Sequence, residues 1–196
     1  MNIAVFASHN GSDLQALIDG CKSGKIKGQV CAVISNNQDA YALERARNEN
    51  ISNYCINVKS YPEANGVTCK ILEVLDRHKI DIIFLAGYLK KISPEIINKY
   101  ENKIFNIHPA LLPKYGGKGM FGMNVHTAVI EAKEKISGIT IHRVNKKYDE
   151  GDIIAKTQVE VLDTDTAESL AERILSREHT FLVEIMSDIA AGKIKT

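Results

Sequence analysis

The sequence predicts an α/β protein built on an open, mostly parallel, twisted sheet with helices on both faces. Three observations lead there. Short apolar, β-branched runs alternate five times with segments whose apolar residues recur at three- and four-residue steps. One of those runs, "DIIFLAG", is apolar throughout its middle, as a strand covered on both faces must be. The 196 residues, 44% hydrophobic and 25% charged, suit one domain with a substantial core, residues 1–196.

The elements follow in order. Residues 2–7, "NIAVFA", form a first strand, followed by polar "SHNGS" and a helix in which Leu14, Leu17, Ile18 and Cys21 share a side. "QVCAVIS" is the second strand, "YALERARNEN" the second helix and "ISNYCINV" a weaker third strand. A helix is expected from about Val67, its start obscured by Asn65-Gly66. "DIIFLAG" is the fourth strand. "SPEIINKY" is a helix with Pro94 at its first position, where a missing N–H costs least, and "KIFNIH" is the fifth strand. Residues 109–124 are loop-like, with four glycines and two prolines. "VHTAVIEAKE" is a helix, and "GITIHRV" and "IIAKTQVEV" are strands around a polar turn. Residues 166–192 form a long last helix, with Asp165 and Glu168 expected as its N-terminal cap. No repeat, low-complexity tract or linker interrupts the pattern.

Composition narrows the function. With 25 basic and 24 acidic side chains, and no basic block, nothing points to nucleic acid or an anionic membrane. Trp is absent and aromatics are 6%, which argues against a base-stacking platform. A small anionic substrate stays open, since one phosphate needs only a local site. The four cysteines form no C-x-x-C pair and have no closely spaced histidine, so they read as reduced small hydrophobes, with no zinc site. The N-terminus lacks the pattern of a signal peptide, and no apolar run is long enough to span a bilayer. The expectation is a cytoplasmic monomer or homodimer acting on small molecules.

One stretch carries chemistry. The fifth strand ends in "NIHP", and residues two apart in a strand share a face, so Asn106 and His108 project together. Pro109 keeps His108 extended. The carboxyl end of a parallel strand is where open α/β sheets bind ligands, so the amide and imidazole read either as a polar strand end or as a pair aimed at one reacting atom. The acid-rich turn "NKKYDEGDI" could bring Asp149 to His108, where a carboxylate would raise the imidazole's pKa and orient it; a plain turn is the alternative.

"NIHPALLPKY" resembles the N-x-H-P-(S/A)-L-L-P segment of folate-dependent formyltransferases. "SHNGSDLQALI" and "HRVNKKYDEGDII" resemble two further segments of one branch, the phosphoribosylglycinamide formyltransferases of purine synthesis, in the same order. Methionyl-tRNA formyltransferase and formyltetrahydrofolate deformylase share the central motif but carry extra domains, for which this length leaves no room. The resemblance implies a Rossmann-like formyltransferase fold whose N-terminal half binds phosphate or nucleotide and whose C-terminal half binds folate and catalyses. It implies transfer of the formyl group of 10-formyltetrahydrofolate, a co-substrate, to the amine of glycinamide ribonucleotide, without a metal. Asn106 and His108 would donate to the developing oxyanion, and Asp149 would keep His108 charged and help move protons.

The same resemblance assigns the binding residues. Gly11, Ser12 and Asp13 lie at a helix N-terminus suited to the substrate's phosphate, or serve as a plain cap. The family commonly has Asn where this chain has Asp13, whose carboxylate would repel phosphate. Glu178 falls on the apolar stripe of Leu170, Ile174, Phe181, Leu182, Ile185 and Ile189, so it should have a partner such as Arg173 or Arg177, or border a cleft. It matches the family's glutamate at the glycinamide end. Tyr88, Leu89, Lys90 and Ile92 would wall the folate's pterin and meet its carboxylates, Lys90 replacing a frequent arginine and losing its fork, while Leu85 reads as core. Backbone groups of Val144, Asn145, Lys146, Lys147 and Tyr148 would bind the pterin edge. The glycine-rich loop 114–124 is expected as a mobile cover. His126 and His142 read as supporting residues, and His9, His78 and His179 have no assigned role. A formyltransferase for another amine, such as a nucleotide-linked amino sugar, and a non-catalytic nucleotide-binding module are the alternatives.

Overall fold

The structure, a computed structural model, describes residues 1–195. Its strands are β1 (Asn2–Phe6), β2 (Gln29–Ser35), β3 (Ser52–Cys55), β4 (Ile82–Leu85), β5 (Ile104–His108), β6 (Ile136–Arg143) and β7 (Ile153–Glu160). They form one sheet in the order β3-β2-β1-β4-β5-β6-β7. The first five run parallel; β6 pairs antiparallel with β5 and β7 antiparallel with β6. The helices are α1 (Ser12–Lys22), α2 (Tyr41–Asn48), α3 (Gly66–Arg77), α4 (Pro94–Lys99), α5 (Met123–Glu131) and α6 (Ala167–Ala190).

The period of two along each strand sorts side chains to two apolar layers. Ile3 and Val5 of β1 face one way, where Leu14 and Leu17 of α1, Leu43 of α2, Val129 of α5 and Ile174 and Leu182 of α6 cover them. Ala4 and Phe6 face the other, under Ile71 and Leu75 of α3 and Ile96 of α4. Helices therefore lie on both faces, as the alternation predicts. In the fourth strand all of Ile82–Leu85 are buried, which explains its unbroken apolar run. Removing a fully buried ring such as Phe84 would cost about 3–5 kcal/mol.

Two local expectations are corrected. The last helix is not capped by Asp165 and Glu168. Thr166 is the N-cap, its hydroxyl accepting from the Ser169 N–H at 3.2 Å while the Ser169 hydroxyl accepts from the Thr166 N–H at 3.0 Å. Asp165 is drawn away by Arg173, whose two terminal nitrogens donate to its oxygens at 2.6 Å each. Strand β6 also starts two residues earlier than expected, at Ile136, because it pairs with β7 from Glu160 onward.

The order of strands reverses between β1 and β4, which share a parallel register. At that switch point the loops leaving the two strands diverge to opposite faces and leave a crevice at their carboxyl ends. Ser8 braces it: its hydroxyl accepts from the Leu89 N–H at 2.8 Å and meets the Asn36 side-chain oxygen at 2.5 Å, tying the loops after β1, β2 and β4 together.

Candidate active site

A cavity of ≈ 760 Å³ opens at this end of the sheet, within the range of small-molecule sites. Asn106 and His108 line it from the end of β5, and Asp149 from the turn between β6 and β7. His108 Nδ1 lies 3.9 Å from one Asp149 oxygen, and the other is 3.5 Å from His142 Nε2. The antiparallel register sets Asn106 directly opposite His142. His142 Nδ1 is 2.8 Å from the Arg143 carbonyl, which can only accept, so that nitrogen carries the hydrogen. In the neutral ring Nε2 then accepts from the Asn106 amide at 3.0 Å, which fixes the orientation of the carboxamide.

The glycine-rich loop closes on the same groups. His108 Nε2 donates to the Tyr115 carbonyl at 2.7 Å, and the Gly117 N–H donates to Asp149 at 2.8 Å. Tyr115 and Asp149 both hold positive φ, 57° and 54°. Burial dominates the electrostatics of His108 and lowers its pKa; the Asp149 charge and the Tyr115 carbonyl oppose this, and His142 adds to it. The expected upward pull of Asp149 is present but smaller than the effect of burial, so the net shift is downward and favours the neutral ring. Burial pushes the Asp149 carboxyl up, but His142, the Gly117 N–H and His108 together outweigh it and leave the pKa below its ordinary value.

Gly11, Ser12, Asp13 and Glu178 line the same cavity. Gly11 is the N-cap of α1 with φ 71°, and no side chain caps the helix. The plain-cap alternative for Ser12 is thereby excluded, and the first N–H groups of α1 are left for another acceptor. A Cβ on Gly11 would lie 2.7 Å from the Ala42 Cβ, so α1 and α2 approach this closely only because residue 11 is glycine. Glu178 is buried and pairs with neither Arg173 nor Arg177, which bind Asp165 and Glu184.

Tyr88, Leu89, Lys90 and Ile92 line the cavity from the loop after β4, and Val144, Asn145, Lys147 and Tyr148 from the loop after β6. Lys146 is exposed, in a bend, and does not line the cavity, a departure from expectation. Leu85 belongs to the core and also borders the cavity. The Tyr88 ring packs edge-on against Phe6 with centroids 5.3 Å apart, and burial raises its hydroxyl to about 12. Sequence reasoning missed the contacts of His142, Tyr115 and Gly117, since only pairing register and loop closure create them. It also left His9 without a role, though His9 lines the cavity. Among the described residues no group of three or more His, Cys, Asp or Glu is placed to hold a metal ion, and no helix is long and apolar enough to cross a membrane.

Comparison with known proteins matches residues 1–186 to a family model described as formyl transferase. Phosphoribosylglycinamide formyltransferase of Escherichia coli (strain K12) is 35% identical, the alignment covering 100% of this chain and 90% of that protein. The chloroplastic phosphoribosylglycinamide formyltransferase of Arabidopsis thaliana is 39% identical over 98% of this chain, which spans 66% of that longer relative. Glycinamide ribonucleotide transformylase 1 from Symbiobacterium toebii superposes with a TM-score of 0.90 at 36% identity, covering 98% of this chain and 88% of that one.

Proposed function

The chain belongs to the formyl transferase family, and from that premise we propose that it moves the formyl group of 10-formyltetrahydrofolate to the amine of glycinamide ribonucleotide, a step of purine biosynthesis, in the cytoplasm. One observation carries the reading. Asn106, His108 and Asp149 line a cavity that the uncapped N-terminus of α1 also lines, so a carbonyl-directed site and an anion-directed site share one space. The folate fits the remaining wall: its flat ring would lie among Tyr88, Leu89 and Ile92, and the backbone of Val144 to Tyr148 offers polar groups to its edge. When bound, it presents the formyl carbon on N10.

The amine itself is the nucleophile, so the protein needs no covalent intermediate. His108 starts neutral, and its Nδ1 takes up the proton that the amine loses, forming an ion pair with Asp149. The Asn106 amide, oriented by His142, donates to the oxygen that becomes negative as the amine adds. The Nε2 hydrogen of His108 is given to the Tyr115 carbonyl in the resting structure, so the loop must release it before it can serve the same oxygen. The proton then passes to N10 as the C–N10 bond breaks.

The test follows release of tetrahydrofolate by absorbance with glycinamide ribonucleotide present and absent. Acceptor-dependent release is expected. Release without acceptor would make the protein a hydrolase, release only with a nucleotide-linked amino sugar would move it to another amine, and none in any arm would leave a binding module.

A further inference from the structure

We propose that Asp13 and Glu178 hold one proton between them in the wall at the ribonucleotide end of the cavity, and that this proton governs how tightly a phosphorylated substrate binds there. The identity of the substrate rests on the formyl-transfer reading; the pair itself rests on two buried carboxyls lining one cavity. Asp13 lies in the first turn of α1 and Glu178 on α6, both 8% exposed. Neither pairs with a lysine or arginine among the described residues. Asp13 Oδ1 is enclosed and has no hydrogen-bond partner.

The groups around the pair are few. From α6, His179 places Nε2 3.7 Å from Asp13 Oδ1, and that nitrogen is likewise without a hydrogen-bond partner. From α1, Asp13 is the sole acidic residue of the first turn. From α2, Arg45 is committed to the Asn10 carbonyl at 2.9 Å and to Gln15. His9 from the turn before α1 and His108 from β5 line the same cavity. Two carboxylates so placed cannot both ionise without severe cost. Burial pushes both upward, most strongly Glu178, which the Asp13 charge raises further, while Glu178 offsets part of the rise at Asp13. On this assignment the proton sits on Glu178, the more strongly raised of the two.

The consequence concerns the anion that the uncapped N-terminus of α1 would receive. With the proton in place, this end of the cavity holds one carboxylate, beside His179. Without it, two negative charges face the incoming phosphate. A carboxamide at residue 13 would supply hydrogen bonds with no charge to lose, so Asp13 sets the pH range over which this enzyme accepts its ribonucleotide.

The experiment compares wild-type protein with Asp13→Asn and Glu178→Gln in three arms. In the first, ¹³C NMR of side-chain carboxyls in the free protein should show Glu178 protonated well above the ordinary carboxylate range; titration at the ordinary position overturns the proposal. In the second, calorimetry with ribose 5-phosphate should show affinity falling by up to about tenfold per pH unit through the pair's transition. The fall should be absent from both variants, in which the phosphate's own ionisation is unchanged; an identical slope in Asp13→Asn overturns the proposal. In the third, KM for glycinamide ribonucleotide should rise with pH in wild type, and that rise should be lost in Asp13→Asn. If wild type shows no turnover, the formyl-transfer reading fails, and the first two arms still decide the pair. Circular dichroism checks that each variant folds.

Discussion

A single imidazole illustrates how burial and charge compete. His108 carries the neighbour that would be expected to keep it charged, yet it is almost fully enclosed, and the loss of water outweighs the carboxylate. A neutral ring beside an ionised Asp149 can take a proton and become an ion pair, a better start for removing an amine proton than a ring already charged. His108→Ala should lower kcat by about 10²–10⁴-fold with the fold intact by circular dichroism. The pH dependence has a definite sign. Because the resting ring must be neutral, kcat/KM should fall as pH drops through the lowered pKa of His108. Asp149→Asn removes a group that raises that pKa, so the acid limb should move further toward acid as kcat falls. Titration of the substrate's amine is common to both proteins and cancels. An acid limb that stays in place or moves toward neutrality would show that another group is being read.

The elements were more legible than the contacts between them. Alternation placed all five parallel strands, and the "NIHP" end of β5 marked two residues that line the cavity, because period and proline act over a few residues. The pairing of Asn106 with His142 was hidden, since register between β5 and β6 depends on a loop and helix of 27 residues, 109–135, between the two strands. The cap of α6 was misread because Arg173, two turns along, competes for Asp165, a tertiary choice that no capping pattern contains. The β6–β7 connection shows the same dependence in a testable form. A Cβ on Gly151 would lie 1.8 Å from the Arg143 carbonyl oxygen, the acceptor that sets the tautomer of His142. Backbone cannot yield as a side-chain tip can, so Gly151→Ala should destabilise the protein by about 3 kcal/mol or more. It should also displace Asp149, two residues away, so that kcat falls even where the variant is fully folded. Urea unfolding and activity measured at 10 °C separate the two effects; a variant of unchanged stability would mean that the turn is not held as tightly as this contact requires.

Across the whole molecule, ionisable groups shifted by their surroundings act on stability in opposite directions, and the Asp13–Glu178 pair lies on the unfavourable side. Asp165 is held well below the ordinary range, mainly by the Arg173 hydrogen bonds. Its contribution is present above the unfolded carboxyl pKa and lost as pH falls through the folded one. Glu178 is the reverse case: burial and Asp13 raise its folded pKa, so its contribution is complete below the unfolded pKa of about 4.3 and is lost as pH rises through the folded value. The protein therefore gives up stability at neutral and alkaline pH to keep two acids in the wall of its cavity. Glu178→Gln preserves shape and the ability to donate to Asp13 but binds no titrating proton. Relative to wild type it should gain stability with rising pH, by at most about 1.4 kcal/mol for each unit between the unfolded and folded pKa values, and then level off. Near pH 4 the two proteins should unfold at nearly the same urea concentration. Urea midpoints collected from pH 4 to pH 9 give the curve directly. A difference that is flat with pH would mean that glutamine changes packing alone, and one that shrinks with pH would mean that Glu178 is stabilised as the anion.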